Sequence, residues 1–540
     1  MKTTPAVGAT LFAMAALWAP ATPAPAQAPK PPAPNALMQI VPVSPNLEPA
    51  IPRPAQEQAA REKLSALEKR TGRKPNILVF LVDDLGYGDV GVYGGGVSVG
   101  SPTPHIDALA RGGLRLTSTY SQPTCTPTRA AINTGRLPVR SGLTRPILTG
   151  DPIKKNPWAD EVTAAKLLSD NGYRTAVVGK WHLGEAEGMK PVDVGYDEFF
   201  GFFMVVSEYS AYMDPRRYPE LVTKPDRVKA FRSTGAIEDI VETRKGQPMK
   251  KVRPLETVDD IANCDQDFAN YSADFIRRAA QDKTPFYLIH AFSKVHFDNW
   301  PAKGYQGKSP AGTPYRDAVV EVDEIVGRIM QTLKDTGQLE NTLVFFTSDN
   351  GPNEDTCPDC AYTPFRRGKG TTWEGGVRVP GIAYWPGMIQ AGRESDGLFD
   401  LLDLFNTSLA VGGIADKIPT DRYIDGIDQS AFLLADTGES KRQTVYMWVE
   451  YDFTALRFHE FKTHSKVLNV HNTFNDLSEA TTERTGMAPW VYNLYSDPKE
   501  QLSRSTSQFE WVLIYLGKEG LRHAATFEKY PMKDIGLRKQ

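Results

Sequence analysis

The sequence predicts an α/β protein in which a large, mostly parallel sheet flanked by helices is followed by a smaller C-terminal antiparallel sheet plus one helix. Three observations predict it. Four runs, at 75–84 (PNILVFLVDD), 173–182 (YRTAVVGKWH), 285–292 (PFYLIHAF) and 341–350 (NTLVFFTSDN), have apolar, β-branched or aromatic centres with no polar alternation, as strands covered on both faces must have. Between them lie stretches of helical period; 316–337 places Val319, Val322, Val326, Ile329 and Leu333 on one stripe. Beyond residue 440 the strand-like runs TVYMWVEYD, TALRFHEFKTH and WVYNLYSD are separated only by turns, and QFEWVLIYL reads as a helix.

In chain order, Lys2, an apolar run from Ala6 to Ala19 and the small-x-small triplet Ala26-Gln27-Ala28 have the form of a cleaved leader, residues 1–28. That run is short for a bilayer span and no later segment is longer, so the expectation is a secreted or periplasmic chain with no membrane span after cleavage. Residues 29–73 read as a Pro/Ala-rich linker with little capacity to bury surface, ending in a helix over 55–70. Residues 74–435 form the main α/β domain and 436–540 the C-terminal subdomain. The chain has 540 residues, 41% hydrophobic and 24% charged, enough for one large core, and its net charge of -3 gives no overall basic field for nucleic acid. Four cysteines in an oxidising compartment make disulfides a minor staple. Cys357 and Cys360 read as a local disulfide, since half a zinc site has no other half, and Cys264 is left over.

The strand ends carry the chemistry. The first run ends in Asp83-Asp84, the second in Lys180 and His182, the third leads to His296, and the fourth ends in Asp349-Asn350. In an open parallel sheet these carboxyl ends face one crevice. Either acidic pair alone reads as an Asx turn. Together they supply hard oxygen donors suited to Ca²⁺ or Mg²⁺, whereas the imidazole and thiolate ligands that zinc prefers are not beside them.

One segment stays unexplained by these arguments: Cys125, two residues before Pro127 and four before Arg129. A buried cysteine or a free thiolate accounts for the cysteine but not for its spacing. CTPTR (125–129) resembles the Cys-x-Pro-x-Arg signature of type I, formylglycine-dependent sulfatases, an arylsulfatase-like branch of the alkaline phosphatase superfamily. VDDLGYGD (82–89), GKWHLG (179–184), TSDNG (347–351) and GKGTTWEGGVRVPG (368–381) follow in that family's order, and YNLYSDPKEQ is similar to its C-terminal part.

The resemblance implies that a formylglycine-generating maturation enzyme oxidises Cys125 to Cα-formylglycine, whose hydrate offers one oxygen to attack sulfur and a second to expel the product. It implies one Ca²⁺ held by Asp83, Asp84, Asp349, Asn350 and residue 125. It also implies roles for the cations: Arg129 on the metal-side hydroxyl, Lys180 and Lys369 on the sulfate oxygens, His296 with Lys369 on the leaving-group side. His182 is implied as the proton acceptor that regenerates the aldehyde. The sequence departs from the family where Val295, not proline, precedes His296, and His290 keeps the reading of a hydrogen-bonded core residue. The substrate implied is a sulfate monoester, with an aryl sulfate as the default. A phosphodiesterase or phosphonate monoester hydrolase of the same superfamily is the alternative, and a non-catalytic sulfated-glycan-binding protein the second. Phosphate monoesters are excluded, since ligands for a second metal are missing. Residues 203–260 are expected to form rim loops, with Tyr209, Tyr212 and Tyr218 available to a ring.

Overall fold

The computed structural model describes residues 37–538 except 206–223, 225, 227–228, 230–238, 355–356, 469–481, 487 and 504–507. The leader and the three rim tyrosines lie outside the described residues. Contacts divide the chain into Met1–Gln39 and Ile40–Gln540, and all the described strands and helices belong to the second unit.

Its strands are β1 (Asn76–Val82), β2 (Leu114–Tyr120), β3 (Arg174–Lys180), β4 (Glu198–Phe202), β5 (Asp239–Arg244), β6 (Lys250–Pro254), β7 (Phe286–Ala291), β8 (Thr342–Ser348), β9 (Arg378–Tyr384), β10 (Arg393–Ser395) and β11 (Phe399–Asp400). They form one 11-stranded sheet in the order β10-β2-β9-β8-β1-β7-β3-β4-β5-β6, with β11 beside β2. From β8 to β4 all pairs are parallel; β9 runs antiparallel between β8 and β2. The register levels the four strand ends: Leu81 lies opposite both Ala291 and Thr347, and Gly179 opposite Ala291.

The apolar strand centres have a direct cause. Leu78, Phe80 and Val82 of β1 enter one core cluster with the helices Cys264–Asp282 and Pro314–Asp335, while Ile77, Val79 and Leu81 enter a second with the helices Ala164–Ser169 and Asp403–Val411. Side chains that alternate between two buried faces cannot alternate in polarity. The stripe from Val319 to Leu333 is buried against the first of these faces.

The tail contains β12 (Thr444–Val449), β13 (Asp452–Phe458), β14 (Phe461–His464), β15 (Lys466–Leu468), β16 (Thr482–Arg484) and β17 (Trp490–Asn493), then a helix, Glu510–Lys529. β12-β13-β14-β17 is an antiparallel sheet, and β15-β16 a separate ribbon.

Two expectations need correction. Residues 239–254, expected among the rim loops, form the antiparallel β5-β6 hairpin at the edge of the large sheet. An edge is covered on fewer sides, so its strands need no long apolar run. The Pro/Ala segment also buries surface at its end: Asn46, Glu48, Ala50 and Ile51 are buried, and Glu48 accepts the Tyr423 hydroxyl at 2.7 Å. Cys357 and Cys360 form a disulfide; Cys125 and Cys264 are free and buried. Among the described residues, no helix is long and apolar enough to cross a membrane.

Candidate active site

Cys125 opens the helix Cys125–Thr134. That start accounts for the spacing in CTPTR. Pro127 falls in the first turn, where a missing N–H costs nothing, and Arg129 comes one turn after Cys125 on the same face. Thr128 Oγ1 accepts the Gln122 N–H at 2.9 Å and closes the entry to the helix.

The strand ends converge on this point. Asp83, Asp84, Cys125 and His296 each place one donor atom within 4.8 Å of the others. Asp349 Oδ1 accepts the Asp84 N–H at 3.2 Å, and Asn350 Nδ2 donates to Asp84 Oδ1 at 2.7 Å, so both acidic pairs share one locus. Each carboxylate meets a cation. Lys180 donates to Asp83, Lys369 lies 2.7 Å from Asp84, and Arg129 donates through Nε and Nη2 to Asp349 Oδ2 at 3.1 and 2.8 Å. Arg129 Nη1 also holds the Lys180 carbonyl at 2.7 Å. All ten sequence-predicted residues are buried; nine lie within this network, and His182, two residues beyond Lys180, bonds instead to Ile147 and Thr126, while His290 bonds to Ser272 at 2.8 Å in the core.

Burial disfavours charge here, and the partners decide what survives. Burial works against ionising Asp83, but Lys180 and Arg129 outweigh it and hold its carboxyl below the usual range. Asp349 is pushed up to about 7 by burial and by neighbouring Asp83. Burial pushes the Cys125 thiol up to about 12, so an unmodified cysteine here is no thiolate at neutral pH. His182 is held well below the ordinary histidine value by burial, Lys180 and Arg129, and His296 is lowered to about 4 by burial and Lys369. Both imidazoles are neutral near pH 7. Asp84 and His182 adopt left-handed backbone, φ 62° and 56°, a conformation costly for such residues and common at functional sites.

Contrary to the expectation that soft ligands are missing here, the Cys125 thiol and the His296 imidazole lie beside the carboxylates, but the donors left unpaired are oxygens, which suit a hard cation. Asp83 Oδ1 and Asn350 Oδ1 are buried oxygens without a hydrogen-bond partner among the described residues, beside Asp84 and residue 125. Unpaired buried oxygens of this kind are what Ca²⁺ or Mg²⁺ takes.

Sequence reasoning gave no role to Glu374 and Arg378 of the glycine-rich motif or to Lys462, His464 and Glu500 of the tail. The structure joins them. Glu374, fully buried, accepts Lys462 Nζ at 2.9 Å, the Tyr120 hydroxyl at 2.8 Å and Arg378 at 3.2 Å; Glu500 accepts the Glu374 N–H and pairs with His464, each at 2.7 Å. This clamp fixes the strap 368–377, which carries Lys369 and is bonded to the other site loops through Gly370 N to Pro123 O and Gly351 N to Gly376 O. The one signal in the sequence was an acid embedded among glycines.

Buried carboxylates and cations gathered at the strand ends of an open α/β sheet, beside a helix that opens on Cys125, make this the candidate active site of an enzyme. The sulfatase family model matches residues 75–414. The chain is 34% identical to N-acetylgalactosamine-6-sulfatase of Canis lupus familiaris over 81% of this chain and 83% of that protein. It is also 34% identical to arylsulfatase A of Homo sapiens, over 79% and 83%. The crystal structure of PsFucS1 sulfatase from Pseudoalteromonas sp. superposes with a TM-score of 0.88 and 54% identity, covering 92% of this chain and 99% of that one. The protein belongs to the sulfatase family, and its relatives are sulfuric ester hydrolases.

Proposed function

We propose that the protein is a secreted or periplasmic hydrolase of sulfate monoesters that works with formylglycine at position 125 and one Ca²⁺. The observation that carries this reading is the convergence of Asp83, Asp84, Asp349, Asn350 and three buried cations on the N-terminus of the Cys125 helix. Asp83, Asp84, Asp349 and Asn350, with residue 125, would hold the metal, which when bound supplies Lewis-acid polarisation and charge compensation. The formylglycine hydrate would supply a nucleophile that the cysteine, with its raised pKa, does not.

This chain's residues do the rest. Lys180 and Lys369 are fixed ammonium groups for the equatorial oxygens of the ester, and their buried setting makes each interaction stronger than in water. Arg129 cannot be deprotonated; its fork orients Asp349 and the Lys180 carbonyl and so sets the floor of the site. His182, neutral near pH 7, accepts the proton from residue 125, and His296 lies on the leaving-group side. Among the described residues there is no second carboxylate cluster for a second metal. The relatives named for a sugar sulfate favour a sulfated sugar as the natural ester, with an aryl sulfate as the reporter substrate.

The test is kcat/KM for 4-nitrophenyl sulfate, 4-nitrophenyl phosphate, a diaryl phosphodiester and a panel of sulfated sugars, on matured protein with calcium. Sulfate esters should dominate; preference for the phosphate monoester would overturn the proposal.

A further inference from the structure

His182 is held by a loop outside the strand-end cluster. Its Nε2 lies 3.0 Å from the carbonyl oxygen of Ile147. A carbonyl only accepts, so Nε2 carries the ring proton and Nδ1 is the basic nitrogen; Nδ1 is buried and has no hydrogen-bond partner among the described residues. The backbone of the same residue reaches the other side of the site. Ile147 N donates to Thr126 Oγ1 at 3.3 Å, and Thr126 Oγ1 donates to the His182 carbonyl at 2.8 Å. Thr126 directly follows Cys125. The backbone of Ile147 therefore ties the ring of His182 to the start of the helix that presents residue 125.

Nothing in the Ile147 side chain places its carbonyl. A fork around it does. Arg145 Nη1 and Nη2 donate to Asp151 Oδ2 and Oδ1 at 2.9 and 2.7 Å, Arg145 Nη1 also donates to the Pro146 carbonyl at 2.9 Å, and Asp151 Oδ2 accepts the Leu148 N–H at 2.7 Å. Both side chains are mostly buried, 16% and 11% exposed. A bidentate pair with fixed planar geometry restricts the enclosed residues 146–150 far more than a single contact would.

We infer that the Arg145–Asp151 fork is a positioning device for His182, acting through the Ile147 carbonyl to select the Nε2–H tautomer and leave Nδ1 as the base. This rests on the reading of His182 as proton acceptor. When the fork is removed the loop loses its closure, the carbonyl drifts, and the ring is free to take the other tautomer or rotate. The lysines that bind the ester and the residues that would hold the metal are untouched, so the loss falls on turnover and not on binding.

The test is a double-mutant cycle on matured protein. Arg145→Ala should lower kcat on 4-nitrophenyl sulfate by roughly tenfold to a hundredfold, the range for a displaced general base, with KM within about twofold. Arg145→Lys, which keeps one contact to Asp151, should recover part of the loss. In a His182→Ala background, Arg145→Ala should change kcat by less than about twofold, because the residue it acts through is gone. Equal losses in both backgrounds, or a loss carried by KM, would overturn the inference and leave the fork a plain loop staple. Should the alanine variant not fold, nitrogen NMR of imidazole-labelled parent protein decides: the Nδ1–H tautomer of His182 at neutral pH would overturn it. That measurement stands even if the parent hydrolyses no sulfate ester, an outcome that would sink the proposed function instead.

Discussion

Replacing Lys462 with methionine removes the ammonium shared by two buried glutamates. Its Nζ lies 2.9 Å from Glu374 and 3.2 Å from Glu500, and all three side chains are fully buried. Afterwards Glu374 still has Arg378 and the Tyr120 hydroxyl. Glu500 fares worse, keeping among the described residues only the Glu374 N–H, a neutral donor, and His464, whose charged form is disfavoured by burial. Stranding one member of a buried pair costs about 3–5 kcal/mol, a large share of a total of roughly 5–15 kcal/mol. Adding Glu500→Gln removes the stranded charge, so Lys462→Met with Glu500→Gln should regain at least about 1 kcal/mol over Lys462→Met alone. Urea unfolding at neutral pH, followed by circular dichroism and tryptophan fluorescence, reads both values where the two probes coincide and the slope is unchanged. A single variant within about 1 kcal/mol of the parent, or two losses that simply add, would refute this account of the clamp.

Other outcomes follow from the same geometry. Unconverted, folded protein should resist iodoacetamide at Cys125 and Cys264 at neutral pH, since burial pushes both thiols up to about 12, and should react once unfolded; rapid labelling of folded protein, read by mass analysis, would contradict it. His464 and His523 are buried with pKa values lowered chiefly by burial, so their contribution to stability is complete above the unfolded value of about 6.5 and is lost as pH falls below it. The melting temperature should drop on acidification from neutral pH, less steeply in His523→Gln; identical slopes would count against that origin. Calcium should raise the melting temperature and a chelator lower it, by about 2.7 kcal/mol of stability at a hundred times Kd, and Asp83→Ala should abolish the shift. A shift that survives Asp83→Ala would place the ion elsewhere.

Much of this site was legible because strand ends and side-chain chemistry are written locally. Asp83-Asp84, Lys180, His182 and Asp349-Asn350 each end or follow a doubly buried strand, and the parallel topology that such strands require brings their ends level. The tail sheet and its helix were legible from turn spacing. Three things were not. The antiparallel insertion of β9 between β8 and β2 leaves no mark, since a buried strand has the same composition in either direction. The clamp on Glu374 depends on residues 126 positions apart in sequence, Glu374 and Glu500, whose acids read singly as surface charges. The Ile147 carbonyl could not have been found, because a backbone oxygen has no residue identity.

The most direct measurement of the central claim is sulfate release from a sulfate ester by samples in which conversion of residue 125 is quantified in the same tube by mass analysis of its peptide. The change to look for is exchange of the cysteine sulfur for oxygen with loss of two hydrogens. The account predicts a rate proportional to the converted fraction, reaching zero when none is converted and in Cys125→Ala. Full turnover by chain that retains an unmodified thiol would contradict it.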